Sequence, residues 1–327
     1  MGRPTTWSDS MTTRRLAAGL GLATLLAGGT AAAATDEPEI VVRADWGSGD
    51  GQLGRRGGQE SAPEGPMSFA ITPTDEVWVL DQVNRRLVRF DTAGRPDRTL
   101  PIGSDTFQDL ALAPGGQFVL LDRLAARLVR VLDEGGSVRS ETPLEGVGIA
   151  EGGGTTALFA RGDGVWVEYD HTRTVRVLGP QFEPLFFRND HGGRALGADV
   201  LGFARRAGGA QVELWTVDRE RDVVLAETTL TFDEPVARIV TLAAAPQRGV
   251  VVAVHGMTED PAQDFRVVHE ALEVRCLDAG LAERRRLRTT PSVGEWEQFK
   301  ELEVSADGTL WQLAFTADGV EVRRWRP

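Results

Sequence analysis

The chain repeats itself. Residues 70–95 (AITPTDEVWVLDQVNRRLVRFDTAGR) and 111–136 (ALAPGGQFVLLDRLAARLVRVLDEGG) superimpose without a gap at a shift of 41 residues. Pro73/Pro114, Leu80/Leu121, Asp81/Asp122, Arg86/Arg127, Arg89/Arg130 and Gly94/Gly135 are identical pairs. Each copy is a series of short apolar runs separated by turn residues. Such a unit cannot bury both of its faces alone, so copies must stack on one another. The period predicts the blades of a β-propeller rather than a domain with one central core.

Strand-like segments continue to the last residue, and helix signals are nearly absent. His269–Ala282 is the most helix-like stretch, yet Leu272, Val274 and Cys276 alternate with Glu273 and Arg275, the period of a strand. The runs Val77–Leu80, Phe118–Leu121, Val165–Val167, Val250–Val254 and Leu310–Phe315 are apolar without alternation, as expected of innermost strands sandwiched between blades. Glu283–Arg288 (ERRRLR) suits a charged outer edge. These signals give six units, at about 65–103, 105–144, 145–188, 189–233, 236–290 and from 296 onward. The last supplies three strands, and Glu39–Ala44 (EIVVRA) is the natural fourth, closing the ring from the other end of the chain. The expected fold is an all-β, six-bladed propeller of four-stranded antiparallel blades, one domain over residues 35–327.

Residues 1–34 have the form of an export signal. Arg14 and Arg15 precede an apolar stretch from Leu16 to Leu26, and the small residues Ala31–Ala34 follow, with Met11 an alternative start. Cleavage there would release a periplasmic or secreted chain, by general secretion or a twin-arginine route. The whole sequence has a formal charge of −12, and residues 1–34 contribute +2 to it, so the remainder stands at −14. A nucleic-acid groove needs a basic face, which this balance argues against. Cys276 is the single cysteine and is expected as a small buried residue, with no internal disulfide available. Lys300 is the only lysine, and the preference for arginine looks like genomic base composition.

The stretch Trp46-Gly47-Ser48-Gly49-Asp50-Gly51-Gln52-Leu53, then Glu64-Gly65-Pro66 and VWVLDQVNRRLVRFDTAGR, resembles the NHL-repeat family of six-bladed propellers. The family pattern runs from a W-G-x-G-x-G loop to a strand ending in Asp, an N-x-R turn, a third apolar strand and a closing Gly. The match is good over the first unit, fair over the second and weak beyond, where Glu168-Tyr169 stands in place of the Asp. The resemblance implies the fold and carries no activity with it.

The repeated residues have a structural reading. Asp81 and Asp122 end a strand where their carboxylates can accept turn amides, and Arg86 and Arg127 begin the returning strand as partners for them. Trp78, Trp166 and Trp311 occupy equivalent positions and suit inter-blade packing, whereas Trp46, Trp296 and Trp325 lie near loops or ends and could offer a surface to a peptide or glycan. Gly49-x-Gly51-x-x-Gly54 matches a dinucleotide fingerprint as a string, but no helix start follows it. His269-Glu270-Ala271-Leu272-Glu273 lacks the second His of a zinc-protease motif. His171, His191, His255 and His269 are scattered over three units. Glu64, Asp109, Glu151 and Glu301 stand at the entrances of inner strands, and carboxylates converging on an axis would suit a calcium ion.

No catalytic constellation is readable. The expectation is no cofactor, with calcium the alternative, and a non-catalytic binding or scaffold role, most simply as a monomer, toward a protein, peptide or glycan. The alternative is a channel-centred hydrolase or lyase that depends on a divalent cation.

Overall fold

The computed structural model describes residues 37–57, 62–197, 199–292 and 297–327. The export-type segment at 1–34 and Trp296 lie outside the described residues. The chain opens with β1 (Glu39–Asp45) and then builds blades in order. Blade 1 is β2 (Ser68–Ile71), β3 (Val77–Asp81), β4 (Arg86–Phe90) and β5 (Pro96–Pro101). Blade 2 is β6 (Asp109–Ala113), β7 (Gln117–Asp122), β8 (Leu128–Leu132) and β9 (Val138–Pro143). Blade 3 is β10 (Thr155–Arg161), β11 (Gly164–Tyr169), β12 (Arg173–Leu178) and β13 (Asp190–Gly192). Blade 4 is β14 (Arg194–Ala195), β15 (Val200–Gly208), β16 (Gln211–Asp218) and β17 (Val223–Thr231). Blade 5 is β18 (Val236–Ala245), β19 (Gly249–Asp260), β20 (Arg266–Leu277) and β21 (Glu283–Thr289). Blade 6 is β22 (Leu302–Val304), β23 (Leu310–Phe315) and β24 (Gly319–Trp325), with β1 paired antiparallel on its outer edge.

Six four-stranded antiparallel sheets therefore form a β-propeller. Among the described residues the only helical segments are four three-residue 3-10 turns, and no helix is long and apolar enough to cross a membrane. The segment 269–282, read as a strand with period two, is the last nine residues of β20 and the turn after it. The third unit extends to Gly192, four residues past its expected end.

β1 closes the ring. Val42 pairs with Val322 and Ala44 with Val320, and these two β1 side chains point into the core between blades 6 and 1. The loop that follows lies over blade 1. Gly54 N–H donates to Asp81 Oδ1 at 2.9 Å, Asn84 Nδ2 donates to the Gly47 carbonyl at 2.9 Å, and Arg86 reaches the carbonyls of Ser48, Gly49 and Gln52. The glycine-rich string at 49–54 is thus a strap between the last blade and the first. Gly94, in the β4–β5 turn, has φ +75°, and a side chain there would collide with the Val41 carbonyl of β1.

The cores lie between blades, not within one. Buried clusters join blade 1 to 2 (Leu80, Leu87, Leu110, Leu120), 2 to 3 (Val119, Leu121, Val165, Val167), 4 to 5, 5 to 6 and 6 to 1. Among the described residues no such apolar cluster joins blades 3 and 4. The five apolar runs assigned to innermost strands belong instead to the second strands β3, β7, β11, β19 and β23, and this corrects the expectation. A second strand is covered on both faces by neighbouring blades. An innermost strand turns one side toward the axis and is free to carry polar residues.

Candidate functional site in the axial cavity

The six innermost strands β2, β6, β10, β14, β18 and β22 surround a cavity of about 610 Å³. Ile71, Leu112, Leu158, Phe159, Val240 and Val304 give it apolar walls. Its charged groups come mostly from the first residues of these strands or the residues just before them: Asp109, Arg194, Arg238, Lys300 and Glu301, with Glu303 inside β22 and Arg161 at the end of β10.

Most of these groups tie blades together. Asp109 is wholly buried and accepts from Ser68 Oγ of blade 1 at 2.6 Å and from Leu158 N–H of blade 3 at 3.0 Å. The Lys300 ammonium, entering from blade 6, reaches Asp109 at 2.9 Å and the Leu110 carbonyl at 2.6 Å, so it bridges blade 6 to blade 2 past blade 1. Burial works against that ammonium, but Asp109 and Glu303 outweigh it and hold the amine above the usual lysine value. Lys300 therefore stays a cation and is poorly suited to act as a nucleophile.

At the blade 3–4 seam, Arg194 Nε and Nη2 grip Glu168 at 2.9 and 2.7 Å while Nη1 donates to the Leu242 carbonyl of blade 5 at 2.8 Å. Burial alone would raise the Glu168 carboxyl. Arg194 and hydrogen bonds from His171 and Thr156 reverse this and hold it far below the usual carboxylate range. This fork joins the seam where no apolar cluster does, and within blade 3 the Trp166 and His191 rings are in contact at 5.2 Å. Arg238 faces Glu301 at 3.7 Å across the blade 5–6 seam.

Two groups are left over. Arg161 Nη2 donates to the Ala195 carbonyl at 3.0 Å and its guanidinium lies 5.4 Å from the Phe159 ring centre, but it has no carboxylate within ion-pair distance among the described residues. Glu303 Oε1 takes one long bond, from Ile71 N–H at 3.4 Å, and Glu303 Oε2 is buried with no hydrogen-bond partner. Burial, against the pull of Lys300, pushes the Glu303 carboxyl up to about 7.

Of the four carboxylates singled out for a calcium ion, Asp109 and Glu301 line this cavity. Glu64 is drawn aside to Arg56 at 2.6 Å, and Glu151 is exposed ahead of β10. Glu301 accepts from Gln312 Nε2 at 3.1 Å and from Ser292 N–H at 3.3 Å, and burial pushes its carboxyl up. Among the described residues no three His, Cys, Asp or Glu side chains are grouped so as to hold a metal ion, and the four histidines are not brought together.

The repeat residues divide. Asp81 Oδ2 accepts from Asn84 Nδ2 and Arg86 Nε, both at 2.8 Å. Asp122 Oδ1 accepts the Ala125 N–H at 2.9 Å, but Arg127 has φ +53° and turns to Glu145 at 3.1 Å instead of to Asp122. Glu168, at the matching place in blade 3, points into the seam and takes Arg194. Trp78, Trp166 and Trp311 are buried on second strands. Trp325 is buried in the blade 5–6 core and offers no face to a ligand, while the half-buried Trp46 packs edge-on against Phe315 at 5.6 Å with the Arg55 guanidinium 5.8 Å from its ring centre.

Sequence reasoning missed Arg161, Glu303 and Lys300 as a set. Lys300 alone carried a signal, as the one departure from an all-arginine cation set.

No family model matches the chain, and no curated protein matches it. Solved structures do. Hydrazine synthase of Kuenenia stuttgartiensis is similar at a TM-score of 0.50 and 10% identity, over 78% of this chain and 76% of that one. Virginiamycin B lyase of Staphylococcus aureus is similar at 0.44 and 12% identity, over 79% of this chain and 94% of that one. Likeness at this level of identity speaks to fold alone, and the fold is the six-bladed propeller described above.

Proposed function

We propose that this is an exported propeller of the NHL-repeat type that binds a partner without transforming it, and that the axial cavity is where the partner's recognised group enters. The partner is a protein, peptide or glycan. One observation carries the reading. The cavity has the size of a ligand site, yet nearly all its ionic groups are committed to joining blades, and its one amine is held as a cation. Such a site is built to hold a shape in place rather than to move protons.

Glu303 favours a second reading. A buried carboxyl held at about 7 has the proton affinity of a general base, which a hydrolase or lyase would use. Calorimetric titration of the purified protein with a panel of soluble peptides and oligosaccharides, with mass spectrometry of the recovered ligand, separates the two. Saturable binding with the ligand returned intact, unchanged by chelator, is the expected result. Multiple turnovers, above all turnovers abolished by chelator, would overturn the binding reading in favour of the enzyme.

A further inference from the structure

The cavity holds two groups of opposite charge type, each without an ion-pair partner, on walls that face each other. Arg161 is carried by the innermost strand of blade 3 and Glu303 by that of blade 6, three blades apart in a ring of six. Every other cavity charge described above has an ionic partner: Asp109 with Lys300, Arg194 with Glu168, and Arg238 with Glu301. A guanidinium without a carboxylate, still presenting N–H donors, is a ready anchor for an anion. A buried carboxylate oxygen without a donor is costly to leave unmatched and in native structures calls for an explanation. Between the two lie apolar surfaces from Leu112, Leu158, Val240 and Val304.

We propose that the cavity binds a short apolar peptide with free ends, its terminal carboxylate on Arg161 and its terminal ammonium on Glu303 Oε2. The inference deepens the binding reading and rests on it only in taking the cavity as the binding site. An ammonium supplies the donor that Glu303 Oε2 lacks. It also completes an alternation of charge with the neighbouring Lys300 and Asp109. A carboxylate on Arg161 can accept from donors not used on Ala195, while side chains of the peptide cover the apolar walls. A neutral oligosaccharide would match neither charge.

The test uses the peptides Ala-Leu, Ala-Leu-Ala and Ala-Leu-Ala-Leu, each with free ends, N-acetylated or C-amidated, titrated into the whole protein by calorimetry. At least one free-ended length should bind saturably, and blocking either end should weaken it at least tenfold. Arg161→Gln should remove the penalty for amidation and leave that for acetylation, and Glu303→Gln should do the reverse. Comparing free with blocked peptides on the unaltered chain needs no variant, so a folding defect in either substitution does not leave the matter open. No saturable binding at millimolar peptide, or equal binding of free and blocked forms, would overturn the proposal. Failure here with a protein or glycan still bound would leave the wider binding reading standing. Binding followed by peptide cleavage would uphold this site and overturn the non-catalytic reading.

Discussion

The one lysine of the chain sits where a single side chain reaches from blade 6 to blade 2. Removing it leaves Asp109 buried with only neutral donors. Lys300→Met should lower stability by about 3 kcal/mol, the low end for breaking a buried pair, because Ser68 and Leu158 still serve Asp109. Denaturant unfolding of K300M, D109N and the double variant checks this. A double variant as destabilised as the two singles added together would show that the pair does not couple. Glu303 makes a prediction of opposite kind. Its folded value of about 7 lies above the unfolded one near 4.5, so the native state holds the extra proton between them. Stability should fall as pH rises through that window and level off above it, by at most about 3 kcal/mol. Glu303→Gln should flatten the slope between pH 5 and 8, and an unchanged slope would place the titration elsewhere. Sequence reading could not reach Glu303. Nothing local marks it, and its character comes from burial beside residues 190 and more positions away. Asp81 was legible because its partners Asn84 and Arg86 are close in sequence.

At the scale of strands, one arrangement recurs. Trp78, Trp166 and Trp311 on second strands stand opposite Arg89, Arg176 and Arg324 on third strands, with guanidinium-to-ring distances of 5.7, 5.8 and 5.4 Å. Trp78 and Trp311 fill the gap to the next blade, whereas Trp166 packs on His191 of its own blade, and in each case the arginine lies over the ring. Trp311→Ala should therefore cost about 3–5 kcal/mol, as for a buried large ring, and Arg324→Ala about 1–2 kcal/mol, since it also removes the ion pairs to Glu39 and Asp75. Comparable losses in thermal unfolding would show that the arginine, not the ring, holds the blades. The tryptophans were legible as packing residues. The strands bearing them were placed one position too near the axis, because unbroken apolar character marks coverage on both faces, and it is the second strand that has this. The polar seam between blades 3 and 4 was not legible, since Arg194 and Glu168 meet only once two blades are side by side.

For the whole molecule, the 41-residue repeat predicted blades, and the number of turn-bounded units predicted six of them. Closure by the N-terminal strand followed from a last unit one strand short. Deleting residues 35–45 leaves β24 as an unpaired edge and removes Val42 and Ala44 from the core between blades 6 and 1, so the melting temperature should drop by on the order of 10 °C. What the ring encloses was not legible, because the cavity wall draws on six strands spread over the whole chain. Its use as a binding site has a direct reporter in the innermost strands that line it. Hydrogen–deuterium exchange followed by peptide mass spectrometry compares Thr156–Arg161, Arg238–Ala245 and Lys300–Val304 with and without the tightest ligand of the peptide and glycan panel. A ligand seated in the axial cavity should slow exchange in these segments at least fivefold and leave the outermost strands unchanged. An unchanged rate at saturating ligand would contradict the axial site and move recognition to the outer surface of the blades.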